Sequence, residues 1–289
     1  MRLATYRLED STLGAVRVEG DEVVVLPFSD VGALLADPRW RELAAEVCGT
    51  RLPYDSARLA TLVPRPPKVW CVGMNYRGHL QETGHPVPDY PTLFAKFAIA
   101  LIGPTDNITL PDSSDQVDWE VELAVVIGRG GRNVSVDHAM DHVAGFSVMN
   151  DISMRDWQRR TSQYLQGKTF GESTPLGPHL VTTDEAPRPV DGLAITLAVN
   201  GETVQIGSTD DMVFGVPEIV SYVSQIAPLE PGDVIATGTP AGIGALHNPP
   251  RFLRDGDVVE CAVEGVGSLE NRCVSARTAS ALPPLVTAP

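Results

Sequence analysis

The chain has 289 residues with 22 Lys and Arg against 37 Asp and Glu, a formal net charge of −15. That balance excludes nucleic acid and anionic membrane surfaces as natural partners, since both require basic surface, and any anionic ligand would need a locally positive pocket. Length allows a substantial core, while 26 Gly and 24 Pro without long helical stripes favour a turn-rich, β-rich fold.

The opening "MRLATYRLEDSTLG" lacks an apolar signal region, and no stretch reaches transmembrane length, so a cytoplasmic protein is expected. "GAVRVEGDEVVVLPF" alternates and turns at Gly20-Asp21, predicting a β-hairpin. "SDVGALLADPRWRELAAEV" offers Ser29 as a helix N-cap, with Pro38 dividing the segment into two short helices. The proline-dense "LVPRPPKVW" places a boundary near Pro64, which divides the chain into a small N-terminal α/β domain over residues 1–64 and a larger domain over 65–289.

Strand-like runs then dominate: "KVWCVGMNY", "WEVELAVVIG", "VAGFSVMND", "LAITLAVNGETVQIGS", "DVIATGT" and "DVVECAVEGVG". Asn200-Gly201 marks a second hairpin. Helices are predicted for "SMRDWQRRTSQYL" after Ser153, and for "VPEIVSYVSQIA", where Pro217 opens the first turn and Ile219, Val220, Val223 and Ile226 share a side. The tail after Arg277 is expected to fray. Cys48, Cys71, Cys261 and Cys273 are scattered, form no CxxC pair and are read as free thiols.

Within "VDWEVELAVVIG", Glu120 and Glu122 are two apart and so project from one face of a strand. An edge strand with a wet face would accommodate them, but Ala124 and Val126 continue that face, which points instead to a cation as counter-charge. A metal held by carboxylates needs further oxygens, and Asp151, ending the run "AGFSVMND", supplies a third acid unless it serves only as a helix cap. Asp118 is read as a rim residue. Arg155 and Gln158 share a helical face just beyond; Lys168 lies in a glycine-flanked loop where a solvated lysine is the ordinary expectation. His79 and Glu82, three apart, would set an imidazole beside a carboxylate that orients it as a general base.

From about Lys68 to Val274 the sequence resembles the fumarylacetoacetate hydrolase family, through "CVGMNYRGHLQE", the Glu-x-Glu of "WEVELAVVIG", "NDISMRDWQ", "GKTF", "VNGE", "PGDVIATGTPAGIG" and "DGDVVECAVEGVG" in matching order. The resemblance implies a mixed β-roll in a β-rich α+β chain, normally a homodimer. It implies Glu120, Glu122 and Asp151 as ligands of Mg2+ or Mn2+, with Ca2+ also admissible, and a lid carrying the His79–Glu82 dyad. Arg155, Gln158, Lys96 and Thr239 become substrate-binding positions, and Lys168 a stabiliser of an enolate. Phe97 stands where many members have a proline after Lys96, and Met74 where Arg or Leu is common.

The expected substrate is a small anionic 2-oxo acid, and the leading expectation is hydrolysis of an acylpyruvate by water activated at His79. Oxaloacetate decarboxylation, or tautomerisation or isomerisation of a 2-oxo acid of the 2-hydroxyhepta-2,4-diene-1,7-dioate type, would pass through the same enolate. A non-catalytic protein stabilised by Ca2+ would explain the three acids but not His79, Arg155 or Lys168.

Overall fold

The computed structural model describes residues 1–9 and 12–276, so the tail after Arg277 lies outside the described residues. At the N-terminus, β1 (Arg2–Arg7), β2 (Leu13–Glu19), β3 (Glu22–Val25) and β4 (Arg51–Pro53) form an antiparallel meander. Gly20 takes the expected hairpin turn at φ +65°, a conformation that costs glycine little. Between β3 and β4, α1 (Val31–Leu35) and α2 (Trp40–Glu46) flank Pro38 as predicted. The cap, however, is Asp30 rather than Ser29: Asp30 Oδ1 accepts the Ala33 N–H at 2.9 Å, while the Ser29 hydroxyl donates to the other oxygen of Asp30. A charged acceptor one residue later wins the helix terminus.

The larger part begins with β5 (Val69–Gly73), α3 (Arg77–Thr83), β6 (Thr92–Lys96), the short β7 (Leu101–Ile102), β8 (Ile108–Leu110) and β9 (Val117–Asp118). It continues through β10 (Val121–Ile127), β11 (Val143–Asn150), β12 (Ser153–Met154), α4 (Arg155–Gln158), α5 (Leu165–Lys168) and β13 (Thr174–Thr182). The hairpin β14 (Ala194–Val199) and β15 (Glu202–Ser208) turns at Asn200-Gly201, and α6 (Val216–Ile226), β16 (Val234–Ala236), β17 (Val258–Val263) and β18 (Gly267–Ser275) complete the chain.

These elements make a β-rich α+β fold. One mixed sheet runs β4-β3-β2-β1-β13-β11-β10-β16-β5-β6, with β7 paired to β13; a five-stranded sheet runs β15-β14-β17-β18-β8, and β9 pairs with β12. The meander joins the main sheet where Arg2 and Leu3 pair with Val181 and Leu180. Leu3, Val31 and Leu34 of the N-terminal segment share an apolar cluster with Cys71, Ala124 and Leu180.

β10 is not an edge strand. It lies between β11 and β16, and all of Val121–Ile127 is buried. Alternation sends Val121, Leu123, Val125 and Ile127 into one core cluster, while Ala124 and Val126 enter another. Glu122 shares register with Ala124 and Val126, so a charged group stands on a wholly interior face.

Two helical expectations change. The segment after Ser153 is two four-residue helices, α4 and α5, rather than one long helix, and Met154 rather than Ser153 precedes α4. α5 folds back on α4 so closely that a Cβ on Gly167 would lie 2.5 Å from the Gln158 nitrogen, an approach only glycine permits. In α6, Ile219, Val220 and Val223 are buried but Ile226 is exposed at the helix end.

His179 on β13 ties this sheet to the N-terminal segment, its Nε2 lying 3.2 Å from the Tyr54 hydroxyl. Burial, aided by the charge of Arg2, depresses its pKa to about 4. Between pH 6.5 and 4 the unfolded chain therefore binds a proton that the folded chain refuses, and stability falls as pH drops. The depression corresponds to about 3 kcal/mol at the acid end. Denaturant unfolding of wild type and His179→Gln across this range is expected to show the wild type losing that much more stability; parallel pH profiles would refute the assignment.

Candidate active site

The pairing of β10 with β11 brings the three acids together. Glu122 stands opposite Met149 and Val121 opposite Asn150, so the residues just beyond the paired ends, Glu120 and Asp151, are neighbours. The Asp151 N–H donates to the Glu120 carbonyl at 2.8 Å, and the Glu120 N–H donates to Asn150 Oδ1 at 3.0 Å. Glu120 itself sits in the break between β9 and β10. One carboxylate oxygen from each of Glu120, Glu122 and Asp151 lies within 4.8 Å of the others, and all three residues are buried.

Three cations answer them. Lys168 Nζ contacts Glu120 Oε2 at 2.7 Å and Asp151 Oδ2 at 2.8 Å, and Lys96 Nζ contacts Asp151 Oδ1 at 2.6 Å. Arg155 reaches Glu120 Oε1 at 2.7 Å and Asp118 Oδ2 at 2.8 Å. Lys168 is thus no solvated loop lysine; two carboxylates at the end of its short helix hold it inside. Nor is Asp118 a rim residue: it is fully buried, its charge met by Arg155 and by the Gly244 and Ala245 N–H groups.

The charges settle unevenly. Burial alone would raise the Glu120 pKa, but Lys168 and Arg155 override it and hold the carboxyl down to about 2. For Lys168, burial would favour loss of the proton, yet Asp151 and Glu120 raise its pKa, so it stands as an ammonium. Glu122 goes the other way: burial, then the charges of Asp151 and Glu120, push its pKa well above the usual carboxylate range. Its hydrogen-bond donor is the Gly238 N–H at 2.7 Å, and among the described residues it has no ion-pair partner. With all four acids ionised, Asp118, Glu120, Glu122 and Asp151 would exceed Lys96, Arg155 and Lys168 by one negative charge, and the raised pKa of Glu122 marks it as the acid that keeps its proton until a further cation arrives. Three hard oxygen donors at this spacing, with surplus negative charge, fit a divalent cation such as Mg2+, Mn2+ or Ca2+.

The His–Glu pair lies on α3 as its spacing predicts. His79 Nδ1 is 3.1 Å from Glu82 Oε2, and the Gly242 N–H donates to the Glu82 carboxylate at 3.0 and 3.2 Å. His79 is close enough to the acid cluster to be felt electrostatically at Glu120, behind Lys168 and Arg155. Asn75, which sequence reasoning did not single out, anchors the helix entry: its amide donates to the carbonyls of Phe214 at 3.0 Å and Thr237 at 2.8 Å. Its quoted motif was the available signal. Gln158 accepts from Arg155 Nη1 at 2.9 Å. The Thr239 hydroxyl donates to the Val121 carbonyl and accepts from Gln205 Nε2, both at 2.9 Å, so it braces the start of β10 in this conformation.

A β-rich fold that gathers carboxylates and ammonium groups at one strand terminus, with an imidazole–carboxylate pair on a helix, has the makings of an enzyme active site. The chain belongs to the fumarylacetoacetate hydrolase family: the family's C-terminal domain matches residues 68–274. Oxaloacetate tautomerase FAHD2A, mitochondrial, from Bos taurus is 50% identical over 225 residues, 77% of this chain and 71% of that protein. The fumarylacetoacetate hydrolase from psychrophilic Exiguobacterium antarcticum superposes with a TM-score of 0.84 at 33% identity, covering 95% of this chain and 99% of that one. 5-Carboxymethyl-2-hydroxymuconate delta-isomerase from Mycobacterium smegmatis gives a TM-score of 0.78 at 32% identity, covering 95% of this chain and 99% of that one. These relatives favour the tautomerase and isomerase alternative over acylpyruvate hydrolysis as the leading expectation. No helix among the described residues is long and apolar enough to cross a membrane. The bovine relative is named as mitochondrial, a compartment other than the cytoplasm expected from sequence.

Lys168→Met would leave Glu120 and Asp151 without their shared ammonium, and breaking a buried pair of this kind costs about 3–5 kcal/mol. Thermal unfolding is expected to show that loss, and added Mn2+ is expected to recover much of it by supplying the missing charge. A loss that Mn2+ leaves untouched would mean that the ion does not enter between these carboxylates.

Proposed function

We propose that this enzyme interconverts the keto and enol forms of oxaloacetate, or of a closely similar 2-oxo dicarboxylate, with Mg2+ or Mn2+ held by Glu120, Glu122 and Asp151. The observation that carries the reading is the His79–Glu82 dyad set beside a buried cluster whose cations favour an enolate. The substrate itself is suggested by the name of the bovine relative.

When bound, the cation polarises the C2 carbonyl and offsets charge on its oxygen. The chain's own residues do the rest. His79, with Nδ1 steadied by Glu82, takes a proton from C3; the C–H electron pair becomes the C2–C3 double bond, the carbonyl pair moves to the C2 oxygen, and the His79 imidazolium gives its proton back to that oxygen, directly or through water, which restores the base. The reverse sequence returns the keto form. Lys168, kept as an ammonium, faces the oxygen where negative charge develops, and a preorganised donor of this kind contributes about 2.7–4 kcal/mol. Arg155, Gln158, Lys96 and Thr239 are proposed to seat the substrate carboxylates. A doubly charged ion converts the cluster's single surplus negative charge into a single positive one, which suits a dianion despite the acidic chain.

No water is consumed in this reaction, whereas acylpyruvate hydrolysis needs water activated at His79. That second reading is favoured by the fold shared with the Exiguobacterium hydrolase. The family resemblance also supports a homodimer.

Decay of enol-oxaloacetate ultraviolet absorbance is expected to accelerate with the Mn2+-loaded enzyme, and His79→Ala to slow it by about 10²–10⁴-fold without loss of Mn2+ affinity. Rapid release of pyruvate from acetylpyruvate, with the enol decaying at its uncatalysed rate, would reject tautomerisation in favour of hydrolysis.

A further inference from the structure

Asp118 differs from the three neighbouring acids in having no lone pair to spare. Its Oδ1 accepts the N–H groups of Trp119 at 2.8 Å and Gly244 at 2.7 Å; its Oδ2 accepts from Ala245 N–H at 3.0 Å and Arg155 Nε at 2.8 Å. Four donors fill a carboxylate. Asp118 is therefore neither a metal ligand nor a substrate contact, although it is two residues from Glu120 and fully buried.

What it grips is informative. Arg155, held by Asp118 through Nε, spends Nη1 on Gln158 and turns Nη2 to Glu120 Oε1 at 2.7 Å, an ion pair off the hydrogen-bond axis. One guanidinium is thus divided between two carboxylates. On its other side Asp118 secures the loop of residues 242–245, which also accepts the Trp119 indole N–H through the Gly242 carbonyl at 3.1 Å and donates the Gly242 N–H to Glu82. The loop has no slack: a Cβ on Gly242 would stand 2.1 Å from the Val204 carbonyl oxygen, and one on Gly244 would stand 2.0 Å from that of Arg251.

We propose that Asp118 is a positioning residue that keeps Arg155 a shared rather than exclusive partner of Glu120, leaving Glu120 free to hold a divalent cation. It does so from the same anchor that fixes the loop behind Glu82. Without the Asp118 charge, the guanidinium falls wholly to Glu120 and competes with the ion for its oxygens. This inference rests on the reading of Glu120 as a metal ligand, but not on the identity of the substrate.

Calorimetric titration of the metal-free chain with Mn2+ alone tests it. Asp118→Asn is expected to weaken Mn2+ binding about 10–100-fold, the usual effect of losing a group that orients a metal ligand. In an Arg155→Gln background the same substitution is expected to do much less, because its agent is gone. Unchanged Mn2+ affinity in Asp118→Asn, or an equal loss in both backgrounds, overturns the proposal. If Asp118→Asn alone does not fold, a folded Asp118→Asn/Arg155→Gln variant with near wild-type affinity supports it. A double variant that is also unfolded, or that still binds Mn2+ at least about tenfold more weakly, overturns it. No substrate enters the measurement, so an enzyme inactive on oxaloacetate would sink the tautomerase reading while leaving this one intact.

Discussion

Negative charge packed into a dry interior is the constraint around which the rest of this protein is arranged. Each buried ion costs several kcal/mol in lost hydration, and mutual repulsion adds to that cost for four neighbouring carboxylates. The fold answers from three separate places: Lys96 at the end of β6, Arg155 at the start of α4 and Lys168 at the end of α5. The brevity of α4 and α5 follows from this demand. A continuous helix would carry Lys168 away from Asp151, whereas the reversal made possible by Gly167 returns its ammonium to within 2.8 Å. What the cations do not neutralise collects at Glu122, which a divalent ion can relieve.

Much of this was legible in the sequence because strand periodicity is a local property. The shared face of Glu120 and Glu122, the turn at Gly20-Asp21, the break at Pro38 and the His79–Glu82 spacing all depend on residues close in the chain. What stayed hidden depends on distant pairing. That β10 is central is decided by β16, more than a hundred residues away, and the burial of Asp118 by Gly244 and Ala245. Lys168 reads as a loop lysine because its partners, Glu120 and Asp151, are 48 and 17 residues distant. Even Ser29 and Asp30, adjacent and both good caps, could be separated only by seeing which one meets the Ala33 N–H.

The same arrangement explains why fold and acid cluster alone underdetermine the reaction. Tautomerisation, decarboxylation and carbon–carbon hydrolysis of 2-oxo acids all place negative charge on the C2 oxygen, so the roles proposed for Lys168 and a divalent ion would serve all of them. They differ in which bond to C3 breaks. Proton transfer needs a base within reach of C3–H; decarboxylation needs the C3–C4 bond aligned and no base; hydrolysis needs water at a more distant carbonyl. The groups that could discriminate are therefore those around the cluster: the dyad, the loop behind it and the side chains that seat the substrate.

Among these, the dyad argues for proton transfer through its attachment. Glu82 is bonded both to His79 and to the Gly242 N–H, and Gly242 belongs to a loop fastened by Asp118 beside the acid cluster. An imidazole held from behind in this way keeps a fixed distance to whatever the carboxylates and their ion hold in front, and proton transfer at carbon demands that fixity because it tolerates little error in approach. In the proposed tautomerisation, base and electrophilic centre are thus parts of one framework, and displacement of either through Asp118 or Gly242 would be felt at the other.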